Sequence, residues 1–313
     1  MKLSAVPCIL ALVAFGGSAT LALADDASCE TIRLSDPGWT DITATNGVAS
    51  VILEALGYAP DVKTLSVPIG YQSMKSGEID VFLGNWMPAQ QAFIDDLTKA
   101  DAIEVLNKNL TGAKFTLAVP AYMTEKGVKD FADLAAHAEE FNATIYGIEP
   151  GAPANTNIQK MIDSGDFDLK DWKLVESGEQ AMLAQVARAE RGEKGIVFLA
   201  WAPHPMNETF DIAYLSGGDA YFGPDYGGAE VFTLARKGWP EACPNAAKLF
   251  GQMTFEIGME NQLMGAILEG ADSKTAATDW LKANPAALTP WLAGVTTLDG
   301  APGETAVKTA LGL

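Results

Sequence analysis

Apolar positions between residues 30 and 90 switch repeatedly between two spacings. Glu30 to Leu34 reads as a short strand ending in the turn-like run Ser35-Asp36-Pro37-Gly38. From Asp41 to Leu56 the residues Ile42, Val48, Ile52, Leu53 and Leu56 follow helical spacing, and Gly57 stops the helix. Val62 to Val67 predicts a strand, and Gly70 to Gly77 a helix stopped at Gly77. Ile79 to Leu83 predicts an apolar strand, followed by the loop Gly84-Asn85-Trp86-Met87-Pro88. Strands alternating with helices in this way imply a parallel or mixed sheet covered by helices.

A second segment opens near Phe115-Thr116-Leu117-Ala118-Val119-Pro120. Its strand-helix pattern runs on to Ile196-Val197-Phe198-Leu199-Ala200-Trp201. The tetrapeptide Phe-Thr-Leu-Ala returns at Phe232 to Ala235, which fits a strand near a second crossing between lobes. Glu241 to Leu313 is mostly helical, and Trp280 and Trp291 there read as packing residues. A chain of 313 residues is too long for one ordinary core. The expected division is one lobe from residues 25–113 plus 213–313 and a second from 114–212. Ligands of open α/β sheets bind beyond the carboxyl ends of the strands, which in a two-lobed molecule face each other across a cleft.

The N-terminus adds a location. Lys2 is followed by an apolar run that ends Ala22-Leu23-Ala24, the pattern of a cleaved secretory signal over residues 1–24. No later stretch is long enough to span a bilayer, so no membrane insertion is expected after cleavage. Cys8 falls in the signal, leaving Cys29 and Cys243. Outside the cytosol a disulfide between them is the favoured reading, two buried free thiols the alternative. The net charge is −19, with 40 Asp and Glu against 21 Lys and Arg. With no basic patch, nucleic acid is not an expected partner.

Three tryptophans share one context, directly or shortly after a strand: Trp39, Trp86 and Trp201. A cleft lined by several indoles suits a quaternary ammonium ion. Such an ion has no N–H to donate, and its charge is spread over apolar methyl groups. An aromatic face offers negative quadrupole density and an apolar wall together, at about 0.5 to 2 kcal/mol per contact. Asp41, two residues after Trp39, can accept a hydrogen bond from an alcohol or serve the positive end of its own helix.

Five elements carry a resemblance: Pro37-Gly38-Trp39-Thr40-Asp41, Gly84-Asn85-Trp86-Met87-Pro88, Gly112-Ala113-Lys114-Phe115-Thr116-Leu117-Ala118-Val119-Pro120, Gly147-Ile148-Glu149-Pro150-Gly151 and Trp201-Ala202-Pro203-His204. In order and approximate spacing the chain resembles the periplasmic choline-binding proteins of ABC importers, within the glycine betaine/choline/proline-betaine binding family. The resemblance implies an α/β, two-lobed periplasmic binding protein fold (type II-like). Each lobe would be a mixed β-sheet flanked by helices, with the ligand in the inter-lobe cleft. It implies a four-residue aromatic box, with Trp39, Trp86 and Trp201 at three positions and Asp41 on the ligand hydroxyl. Two positions depart from the pattern. Phe115 stands where the family carries a box tyrosine, and Ala152 where an asparagine is expected. Asn155 or Asn157 is the candidate replacement.

The ligand expected is choline, with glycine betaine, another methylated amine or a sulfonium osmolyte such as dimethylsulfoniopropionate as the alternative. A carboxylate-bearing ligand would avoid Asp41 and want donors. The expected partners are the permease subunits of an ABC importer, with the chain itself a monomer and without metal or cofactor. Catalysis is the reading from another class. His204, in the loop after Trp201, is its one candidate acid or base, and no nucleophile elbow, phosphate loop or metal-ligand cluster accompanies it.

Overall fold

The computed structural model describes residues 25–313. The expected signal segment lies outside the described residues. The strands are β1 (Thr31–Asp36), β2 (Ala59–Thr64), β3 (Val81–Met87), β4 (Ile103–Pro120), β5 (Thr144–Tyr146), β6 (Lys173–Val175), β7 (Val197–Ala202), β8 (Ile212–Tyr214) and β9 (Gly228–Arg236). They form one mixed sheet in the order β2-β1-β3-β9-β4-β7-β5-β6, with β8 also on β4. Pairing is parallel within β2-β1-β3 and within β7-β5-β6. The long strands β4 and β9 join these two groups by antiparallel pairing.

The crossover is local. β4 pairs with β9 as far as Lys114↔Gly228, and from Lys114↔Ala202 onward it pairs with β7. One strand therefore serves both halves, and its change of partner falls where the sequence pattern changes. β8 lies on the far end of β4, with Ala118 opposite Tyr214 and Pro120 opposite Ile212. The chain thus stays with the second half past residue 212 and returns along β9.

Several elements differ from their sequence reading. β2 begins at Ala59 rather than Val62, because its register is set by parallel pairing of Thr31 with Ala59. Val67 opens the helix Val67–Ser76, whose early Pro68 suits a first turn with no N–H partner to lose. β3 runs through Gly84-Asn85-Trp86 instead of ending in a loop, since β9 continues to pair with it across an irregularity between Phe82 and Asn85.

The helix Thr40–Ala55 buries Ile42, Val48, Ile52 and Leu53. Gly47 lets the helix Ser273–Ala283 approach, for a Cβ there would sit 2.7 Å from the Ser273 carbonyl oxygen. Buried Asp80 accepts from Arg33 Nη2 at 2.7 Å and from Arg236 Nε at 2.8 Å, tying β1 to β9. Burial alone would raise its carboxyl, but the two guanidinium groups hold it below the usual range. Cys29 and Cys243 form a disulfide that closes a loop with a sequence separation of 214. Beside it, Asp25 accepts from the backbone N–H groups of Asn245 and Ala246, capping the helix Pro244–Gln252. Among the described residues no helix is long and apolar enough to cross a membrane.

Candidate ligand-binding site

Side chains at the carboxyl ends of strands from both halves of the sheet meet in one cavity. Trp39, Asp41, Trp86, Gln90, Phe115 and Trp201 line it, and Ile148, Pro153 and Ala154 close one side. Trp86 and Trp201 are the penultimate residues of β3 and β7. Phe115 on β4 stands directly opposite Trp201 on β7, so both rings leave the sheet on the same face. The Trp86 and Phe115 rings meet edge to face with centroids 6.3 Å apart. Trp39 follows β1 through a turn in which Asp36 Oδ1 accepts from the Gly38 N–H at 2.7 Å. It precedes the helix Thr40–Ala55, placing Asp41 in the first turn. The four aromatic rings expected of the box are together, each at least nine-tenths buried.

Carboxylates stand behind the rings. Trp86 Nε1 donates to Asp41 Oδ2 at 3.0 Å, and Trp39 Nε1 donates to Glu149 Oε1 at 2.7 Å. An indole hydrogen-bonded to an anion is polarised towards its π face. Asp41 Oδ1 is buried with no hydrogen-bond partner. Burial first, and the nearby charge of Glu179 second, push the Asp41 carboxyl up to about 7. Glu149 is likewise pushed up to about 7, chiefly by burial, with Glu179 and Glu176 adding repulsion. Glu260 is buried and held well above the usual carboxylate range by burial and then by Asp41. Gln90 is fully committed: its Nε2 donates to the Gly84 carbonyl, and its Oε1 accepts from Tyr71 and Asn85.

Asn155 and Asn157 do not line the cavity. Asn155 is buried in the helix Pro153–Ser164, and its amide braces the preceding loop through the Ile148 backbone, the Glu149 carbonyl and Glu176. Asn157 donates to the Tyr221 carbonyl at 2.8 Å. Neither replaces the asparagine absent at Ala152, which precedes the helix Pro153–Ser164 without a side-chain cap. His204 is wholly buried behind Trp201 and does not line the cavity either. Its Nδ1 accepts from the Met206 N–H at 2.8 Å, so Nε2 carries the hydrogen that faces Glu179 Oε1 at 3.2 Å. Trp291 packs edge to face on Phe255, and Trp280 donates to Gln262; both lie away from the cavity.

The family model describing the substrate-binding domain of ABC-type glycine betaine transport systems matches residues 30–283. The chain belongs to that family. It is the substrate-binding component of an ABC transporter of the glycine betaine/choline type, not an enzyme. An ABC-transporter choline-binding protein solved in complex with choline is 55% identical, with a TM-score of 0.90, covering 92% of this chain and 100% of that one. An ABC-transporter choline-binding protein solved in an unliganded semi-closed conformation, also 55% identical, gives 0.85 over 91% and 100%. The lactococcal protein OpuAC, closed on glycine betaine, is 28% identical at a TM-score of 0.76, covering 84% and 99%. The two-lobed fold of this substrate-binding protein is thus that of its relatives.

Proposed function

We propose that this substrate-binding protein captures choline in the periplasm and delivers it, as a monomer, to the permease of its importer. The observation that carries this reading is Asp41. Within an apolar, aromatic cavity it keeps one buried oxygen with no partner, and that oxygen is an acceptor. Choline brings one donor, its hydroxyl, and a diffuse cation for the rings. Glycine betaine brings a carboxylate, which wants donors and meets Asp41 instead. Two of the three indole N–H groups are already given to carboxylates.

The energetics are sufficient. Four aromatic contacts at about 0.5 to 2 kcal/mol each give several kcal/mol. Micromolar binding needs about 8 kcal/mol, and burial of the methyl groups contributes the remainder. The ligand docks on one lobe, and closure brings the other lobe's rings over the remaining faces. Binding drives closure only through tighter binding to the closed form. The greater likeness to the choline-loaded relative than to the semi-closed one supports reading this cavity as the loaded geometry. We place the lobes at residues 25–113 with 228–313, and 114–227. The pairing of β8 with β4 argues for the later second boundary.

Calorimetry with choline, acetylcholine, glycine betaine and dimethylsulfoniopropionate tests the assignment. Choline is expected to bind most tightly, and tighter binding of glycine betaine overturns the reading.

A further inference from the structure

Trp39 and Thr40 are neighbours in sequence, and each is held by a carboxylate from the other side of the cavity. Glu149, in the loop after β5, accepts from Trp39 Nε1 at 2.7 Å. Glu179, beyond β6, accepts from the Thr40 backbone N–H through Oε2 at 2.9 Å and from the Thr40 hydroxyl through Oε1. Glu179 is 5% exposed, so its position is set by these bonds and by His204. Neither acid lines the cavity, and both act through residues that do or that adjoin it.

We propose that Glu149 and Glu179 are positioning residues that make closure conditional on a cation, and so fix the charge class of ligand the protein accepts. The proposal rests on the reading of the cavity as a cation site.

The argument is electrostatic. Glu149 and Glu179 stand against the segment that carries Asp41, and after burial the charge of Glu179 further raises both other acids. Nδ1 of His204 accepts from the Met206 N–H, so its contact with Glu179 is a hydrogen bond through Nε2. Among the described residues no Lys or Arg forms an ion pair with Asp41, Glu149 or Glu179. The empty closed form therefore gathers carboxyl groups in a dry site, where each one that ionises repels the others. A cation between the rings offsets that repulsion, whereas a zwitterion with no net charge offsets less of it. The same two bonds read as plain structural hydrogen bonds would aid closure on any ligand alike.

Glutamine separates the two accounts, since Glu149→Gln and Glu179→Gln keep an acceptor for Trp39 and Thr40 while removing the charge. Choline and glycine betaine affinities are measured by calorimetry on the wild type, each single variant and the double variant. The ligand-free radius of gyration is measured by small-angle X-ray scattering. The double variant is expected to lose at least tenfold in its choline-to-betaine affinity ratio and to scatter as a more compact ligand-free molecule. An unchanged ratio with wild-type choline binding intact overturns the proposal alone. Failure of the wild type to bind choline overturns the parent reading instead. A variant that melts early is replaced by Glu179→Asp, which retains the charge and is expected to keep the wild-type ratio; a lost ratio there counts against the charge argument.

Discussion

Replacing Asp41 with asparagine is expected to stabilise the empty protein while weakening it as a receptor. In the folded state the Asp41 carboxyl rises from an ordinary value near 3.8 to about 7. Below the unfolded value both states hold the proton, so the group has no effect on stability. Between the two values the folded state holds more protons than the unfolded chain, and stability falls as pH rises. Above about pH 7 the loss is complete, at about 4 kcal/mol. Asparagine removes this loss and keeps an oxygen for Trp86 Nε1. Its buried NH2 must find an acceptor, which returns about 1 to 3 kcal/mol of the gain. The net expectation is about 2 kcal/mol, or a melting temperature about 5 °C higher at pH 8. At pH 4, where little but the cost of the buried NH2 remains, the variant should be the less stable of the two. Choline affinity should fall tenfold to a hundredfold, the scale of one hydrogen bond to a charged group at about 1.5 to 3 kcal/mol. Calorimetric melts of both ligand-free proteins at pH 4 and pH 8, with choline titrations at pH 8, provide the comparison. A variant no more stable than wild type at pH 8, or one that binds choline equally well, refutes the reasoning.

Other expectations follow from the same geometry. Trp86→Ala removes one cage wall and the donor to Asp41, and choline titration should show at least a tenfold loss, on the order of one cation–π contact with its apolar area. A bound cation favours ionised Asp41 and Glu149, both raised to about 7, so choline affinity should climb from pH 5.5 to pH 8 and then level off. Titrations in buffers of differing ionisation enthalpy should show proton release on binding, and a flat pH profile would contradict it. Gly227→Ala adds a Cβ only 1.8 Å from the Phe115 carbonyl oxygen at a φ of +73°. It should cost more than about 2 kcal/mol in a melt and weaken choline binding through displaced Phe115. Replacing Cys29 and Cys243 by serine should lower the melting temperature by about 10 °C, since native disulfides commonly contribute about 2 to 5 kcal/mol.

The grouping of the three tryptophans was legible because they obey one positional rule. Trp39, Trp86 and Trp201 sit at the carboxyl ends of strands, and the hydrophobic runs that mark those strands are plain. Phe115 needed the family likeness, because nothing in its own strand shows that it will stand opposite Trp201. Asn155 and Asn157 lie away from the cavity because their helix, Pro153–Ser164, turns the first towards the loop Gly147–Gly151 and the second towards Tyr221. The acids behind the rings went unread, although Glu149 and Glu179 follow β5 and β6 as the tryptophans follow their own strands. Short strands of three residues give little periodicity to anchor such a rule. Burial of a charged group also depends on tertiary contacts that no local pattern encodes. The run Gly84-Asn85-Trp86 misread as a loop because its pairing partner, β9, lies more than a hundred residues downstream.

The bond between Cys29 and Cys243 also limits when the molecule can be completed, once the chain has reached a compartment where such a bond persists. The half that holds both cysteines includes β1, near the start of the described residues, and β9, nearly two hundred residues later, so it cannot be completed without residue 243. The intervening stretch, with β5 to β8, is continuous and finds its partner strands within itself and the end of β4. The inner half thus needs nothing beyond its own stretch and β4 for its pairing, whereas Cys29 needs a partner 214 residues further on. A chain truncated just short of residue 243 would keep every pairing partner of β5 to β8 and leave Cys29 without its own, a thiol open to exchange with other disulfides.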